Sequence, residues 1–336
     1  MAPSRPVLLL LAAVMLLLGS GAMPPDCPLR SPQRQVSELF PDATDFRTVS
    51  GRVDLAARAR IEAQLGSRIE LSDLGAATVY IVQRDGVPIG FVHARTDIGR
   101  RGVTELAWAF DLNLRVRRPQ VQRSRELAID VLRGDPFLAL VLGRDWCALK
   151  ALLAAAPDEL AVETPDIDAE GRPLAAAAVR SALMAALVVE HAFGDETRTA
   201  RVQGNAAHFF PERARVEEVE LGVDRERRTA EALGRPAASL ALDSMRAHRA
   251  VDAQGEHLGL LVVARVAAAD HGAQLWLAVR PDGRLGEVVA CGAPRTTDFA
   301  ALRGRGLDDL RSDPDTAARA GAEALALLKA SGALAD

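Results

Sequence analysis

Six histidines, His93, His191, His208, His248, His257 and His271, are the side chains best suited to metal or acid–base work. None stands three or four positions from another histidine or a cysteine, so their spacing does not indicate a metal site. His257 falls in a turn and reads as solvated. Three cysteines, Cys27, Cys147 and Cys291, form no Cys-x-x-Cys pair. Cys147 and Cys291 read as small buried hydrophobes; one disulfide is compatible with an oxidising compartment, its pairing open. No Gly-x-Ser-x-Gly elbow, Walker loop or Rossmann glycine pattern is present. The pair Asp308-Asp309 reads as a solvated face rather than a cation site.

Two groups carry more specific possibilities. Arg115, Arg117, Arg118, Arg123 and Arg125 form a basic cluster. It reads either as an anion clamp for a phosphate or an acidic partner, or as a charge-guarded strand edge. Trp108 and Trp276 could stack on a planar ring, but apolar neighbours (Leu106, Phe110, Leu275, Leu277) favour sheet-core anchors.

The elements that must position these residues are written twice. Tyr80–Ala94 alternates apolar residues around Asp85-Gly86, the signature of a β-hairpin. Arg249–Ala264 follows the same plan, with Leu258-Gly259-Leu260 answering Ile89-Gly90-Phe91. Phe40-Pro41 opens the first unit and Phe210-Pro211 the second. Helices are expected over Asp54–Leu65 and Asp224–Leu233, closed by Gly66 and Gly234 as C′ residues. Gly90 precedes Trp108 by 18 positions, and Gly259 precedes Trp276 by 17. Each Trp strand leads to a turn and another strand, Leu114–Val116 or Leu285–Val289, with Pro281-Asp282-Gly283 a strong turn signal. Phe137–Leu149 and Phe299–Leu310 then predict paired short helices, followed by alanine-rich helices over Leu174–Phe193 and Asp315–Ala330. The landmarks imply a tandem duplication. The expected fold is α+β: two units, 37–193 and 208–331, each a twisted antiparallel sheet covered by helices on one face. Residues 23–36 and 194–207 read as linkers.

The chain has 336 residues, 49% hydrophobic and 26% charged, with a formal net charge of −4. That is a globular composition with room for two cores, and no basic field points to nucleic acid. Arg5 precedes the apolar run Val7–Leu18, and Ser20 and Ala22 supply a small-residue cleavage site. Residues 1–22 read as a signal peptide, giving an exported protein with a mature N-terminus at Met23. The alternative is an uncleaved anchor; the run is short of the roughly 20 apolar residues a span needs. Pro24-Pro25-Asp26 before Cys27 excludes the lipidation box.

Phe-Pro-x-Ala, a helix, a Gly-containing hairpin, two further strands and Phe-x-x-x-x-x-Gly together resemble the FMN-binding domain family. Its members include the FMN-carrying subunits of Rnf and Nqr electron-transport complexes and NosR-type regulators. The resemblance implies FMN joined by a phosphoester to the threonine of a Ser-Gly-Ala-Thr motif at the last helix. The matching stretch of the first unit is Ala175-Ala176-Ala177-Ala178, with no hydroxyl at the threonine position. In the second unit it is Asp313-Pro314-Asp315-Thr316, so Thr316 is the candidate cofactor-binding residue. Two carboxylates stand where small neutral residues would admit a phosphate, and Asp315 also reads as a helix N-cap. Covalent attachment is therefore not expected. The resemblance implies an extracytoplasmic electron-transfer accessory beside a membrane complex, carrying FMN non-covalently in one unit at most. The alternative is a flavin-free scaffold or binding module that has kept the fold.

Overall fold

A computed structural model describes residues 28–70, 73–99, 101–155, 166–211, 214–266, 274–291, 300–311, 313 and 315–334. The expected signal segment, Cys27, His271, Phe299 and Pro314 lie outside them. The fold is α+β, with two antiparallel five-stranded sheets.

The first sheet is a meander of β1 (Asp45–Val53), β2 (Gly75–Arg84), β3 (Val87–Gly99), β4 (Gly102–Phe110) and β5 (Val116–Arg123). The second runs β6 (Arg215–Val219), β7 (Arg246–Val251), β8 (His257–Arg265), β9 (Gln274–Val279) and β10 (Leu285–Cys291), again each paired with its neighbour in sequence. The β2–β3 hairpin turns at Asp85 and Gly86, both left-handed with φ 53° and 81°. This backbone twist matches that of paired strands.

Helices interrupt both meanders at the same place. After α1 (Pro32–Leu39), α2 (Leu55–Leu65) joins β1 to β2. The Asp54 carboxylate accepts from Ala57 N at 2.7 Å, and Gly66 ends the helix at φ 73°. In the second unit α7 (Arg225–Leu233) joins β6 to β7 and ends at Gly234, φ 71°. Between them lie α3 (Asp135–Val141), α4 (Trp146–Ala155), α5 (Arg172–His191) and α6 (Asp195–Phe209). The chain closes with α8 (Leu307–Arg311) and α9 (Thr316–Ala330).

Both faces of each sheet are covered, a correction to the single covered face expected. Val79, Ile81, Phe91, Leu106 and Trp108 pack towards α5. Tyr80, Val82, Val92, Ala107 and Ala109 pack instead with Val36 and Leu39 of α1 and with Phe40. The reason lies in the strands: Val79-Tyr80-Ile81-Val82 is apolar at both parities of a period-two element. The second sheet repeats the arrangement, α7 and α9 on one face and α6 on the other.

The helix α5 is long and apolar enough to cross a membrane by length and composition, yet 72% of that window is buried in the fold. Here it is the core helix of the first unit.

The described parts of both expected linkers, 28–36 and 194–207, are packed into the fold. Residues 32–36 belong to α1, and Leu29 is buried with its amide donating to the Tyr80 hydroxyl at 3.0 Å. Residues 195–207 belong to α6, whose Val202 and Ala206 pack on the second sheet. Its Gly204 faces the first unit, where a β-carbon would lie 2.4 Å from Pro88 O and 2.5 Å from Leu112 Cδ1. Glycine is what lets helix and strand approach so closely.

Candidate functional site

Thr316 is the first residue of α9, and its surroundings are set by the residues before it. The Asp315 carboxylate accepts from Ala317 N at 2.7 Å and Ala318 N at 3.3 Å, an N-cap as the sequence suggests. Asp313 accepts from Asp315 N at 3.0 Å and pairs with Arg305 at 2.7 Å. That backbone bond, with the Arg305 guanidinium, holds the Asp313 carboxyl below its usual range. The amides a phosphate would use are thus engaged by the chain's own carboxylate, with a second anion alongside. These residues do not fit a phosphoester-linked FMN.

The first-unit counterpart does not fit either. Ala175–Ala178 lie inside α5, past its start at Arg172, and Ala175 N already donates to Gly171 O at 3.0 Å. Ala175 and Ala178 are buried in the core.

Four of the five arginines of the basic cluster are engaged by the protein itself. Arg115 reaches Ala290 O of the second sheet at 3.2 Å, and Arg118 reaches Glu38 O at 3.5 Å. Arg117 lies 4.5 Å over the Phe40 ring and 3.8 Å from Asp42, and Arg123 pairs with Glu105. These residues precede and line β5, an edge strand of its sheet, so the geometry supports the guarded edge rather than a clamp.

Trp108 and Trp276 are both core residues, 0% and 1% exposed, and so present no face to a ligand. They are not structural equivalents. A β-carbon on Gly90 would meet Phe110 O, and one on Gly259 would meet Val279 O. Two residues before these carbonyls stand Trp108 and Leu277, so Trp276 is one position out of register. A one-residue slip changes the face. Trp108 packs towards α5 and donates to Ser181 Oγ at 3.1 Å. Trp276 points instead towards α6, beneath Arg201 at 4.9 Å.

Among the histidines, buried His93 has Nδ1 2.8 Å from Thr78 O, and burial lowers its pKa to about 4. His191 Nε2 lies 2.8 Å from Gln64 Oε1, and burial likewise lowers it to about 4. His208 and His257 are exposed or at a strand end, and His248 is lowered by desolvation. No three His, Cys, Asp or Glu side chains among the described residues are grouped to hold a metal. Cys147 and Cys291 are free thiols, Cys291 pushed up to about 12 by burial, so neither is a ready nucleophile.

The feature the sequence conceals is the junction around Arg201. This almost fully buried guanidinium donates from Nε to Leu112 O at 2.8 Å and pairs with Glu190. Its other arm lies 3.9 Å from Cys291 Sγ. Arg201 thus ties the first-unit β4–β5 turn to the second sheet through α6. Beside it lies a small cavity of about 10 Å³, lined by Gln64, Asn113, Glu190 and Arg265 among others. That is room for about one water molecule. On the other side of the β4–β5 turn opens a cleft of about 510 Å³ between the hairpin turn, Asp111–Asn113 and α6. Asp111 Oδ1 accepts from the amides of Asn113 and Arg115, both at 2.8 Å, while burial raises its pKa. No sequence motif announces Arg201 or Asp111; both sit in segments that read as turn or linker.

Compared with protein-family models, curated proteins and solved structures, the chain matches none of them.

Proposed function

We propose that this protein is an exported, flavin-free scaffold or binding module, built from a tandem duplication of an FMN-binding-like unit and acting beside a redox or membrane complex. The duplication is supported by the two sequential meanders, the helix inserted after the first strand of each, and the matched seats of Phe40 on Gly90 and Phe210 on Gly259. Export rests on Arg5, the Val7–Leu18 run and the Ser20/Ala22 site.

The observation that carries the flavin-free reading is the Asp315 carboxylate on the amides of Ala317 and Ala318. An incoming phosphate would have to displace a covalently tethered anion of the same sign. The first unit has only alanines at the corresponding place, with no hydroxyl to accept the phosphoester. A second reading, an electron-transfer accessory carrying FMN non-covalently, draws on the cleft of about 510 Å³ beside α6. Nothing in either reading calls for nucleic acid.

The test is the visible spectrum of the protein purified from its exported fraction, followed by acid precipitation. A colourless protein with no flavin in the acid supernatant is the expected result. Flavin released into the supernatant would replace the scaffold with the electron carrier.

A further inference from the structure

The small cavity beside Arg201 carries more positive than negative charge. Its wall includes the side chains of Arg201 and Arg265 and the single carboxylate of Glu190, and Glu190 is already paired with Arg201. Two cations against one anion leave one positive charge over. Arg265 is exposed, and its guanidinium has no hydrogen bond or ion pair among the described residues. His191, next to Glu190 in α5, feels the same excess. Burial lowers its pKa most, and Arg60, Arg265 and Arg201 lower it further against the opposing pull of Glu190.

The neutral groups of the wall add donors rather than acceptors. Gln64 Oε1 faces His191 Nε2 at 2.8 Å, which leaves the amide nitrogen of that carboxamide to donate. The Gln274 carboxamide has no side-chain partner among the described residues. Cys291 is held as a neutral thiol by burial, which pushes its pKa up to about 12.

We propose that this cavity binds one monovalent, single-atom anion, chloride being the probe of choice. Its volume of about 10 Å³ is room for one water-sized particle and too little for a carboxylate or phosphate group. Water would leave the unmatched guanidinium charge beside a largely buried wall, where a charge is best paired. Gln64 and Glu190 come from α2 and α5 of the first unit, and Arg265, Gln274 and Cys291 from β8, β9 and β10 of the second. The anion therefore ties the two units together.

Thermal unfolding of the full mature chain in sodium chloride, sodium acetate and sodium gluconate at equal ionic strength holds screening constant. Chloride at about 0.2 M should raise Tm saturably by about 3 °C over gluconate, and acetate should not. Arg265→Gln should abolish the chloride gain while leaving Tm in gluconate within about 1 °C of the parent. Equal Tm in all three salts, or a chloride gain that survives Arg265→Gln, would overturn the proposal, water then filling the cavity. Equal stabilisation by acetate would overturn the single-atom site. If Arg265→Gln shifts Tm in gluconate, broadening of the chloride NMR line by the unaltered protein decides the matter, its absence overturning the proposal.

Discussion

The ring of Phe40 lies where a side chain on Gly90 would have to go, its Cε1 and Cζ 2.7 Å from the position of the missing β-carbon. The far side of that position is closed by Phe110 O at 2.3 Å. Phe210 and Val279 O enclose Gly259 in the same way, at 2.7 Å and 2.5 Å.

Gly90→Ala should therefore cost about 2 kcal/mol or more, since neither a strand carbonyl nor a buried ring can yield cheaply. Gly259→Ala should cost at least as much, because its φ of 150° adds strain for any residue with a β-carbon. Denaturant unfolding of the two variants checks this. A change within 0.5 kcal/mol (roughly the size of an ordinary surface substitution) at either position would refute the seat.

Glu323, on α9, is fully buried and is held by three successive amides: Ala238 and Ser239 at 3.0 Å and Leu240 at 2.8 Å. Replacing it with alanine strands those donors and should cost about 3 kcal/mol. The sharper readout is local. Amide exchange at 238–240 should accelerate in Glu323→Ala beyond the change at other core amides, and uniform acceleration would contradict the clamp.

Arg201 is buried and pairs with the half-buried Glu190, so removing one partner alone leaves a charge uncompensated. Arg201→Met should destabilise by about 3 kcal/mol, and adding Glu190→Gln should recover part of the loss. Full additivity in a double-mutant cycle would show that the two do not act together.

His93 and His191 have folded-state pKa values near 4 against an ordinary 6.5, both through burial. The unfolded chain binds these protons more readily. Stability is thus fully present above pH 6.5 and is lost as pH falls from about 6.5 to about 4. Urea midpoints measured across that window should decline towards acid, and His93→Gln should flatten the decline.

Much of this architecture is legible in the chain because local rules agree with the tertiary outcome. Asp85-Gly86 takes the two left-handed residues a tight hairpin needs, and Gly66 and Gly234 end their helices as expected. What escapes is decided by tertiary contacts. Trp108 and Trp276 look equivalent until a one-position difference in spacing turns them to opposite faces. The helix α6 falls in a segment that reads as a linker, and its Gly204 is needed for the approach to Pro88 O. Arg201 carries no motif because its partners, Leu112, Glu190 and Cys291, come from three separate elements.

The most direct test of the account is the intact mass of the protein co-expressed with a flavin transferase. With Asp315 on the helix amides and Asp313 beside it, the mass should equal that of the polypeptide alone, and Thr316→Ala should leave the protein's spectrum unchanged. A mass increased by one FMN moiety, mapped to Thr316 and lost in Thr316→Ala, would contradict it.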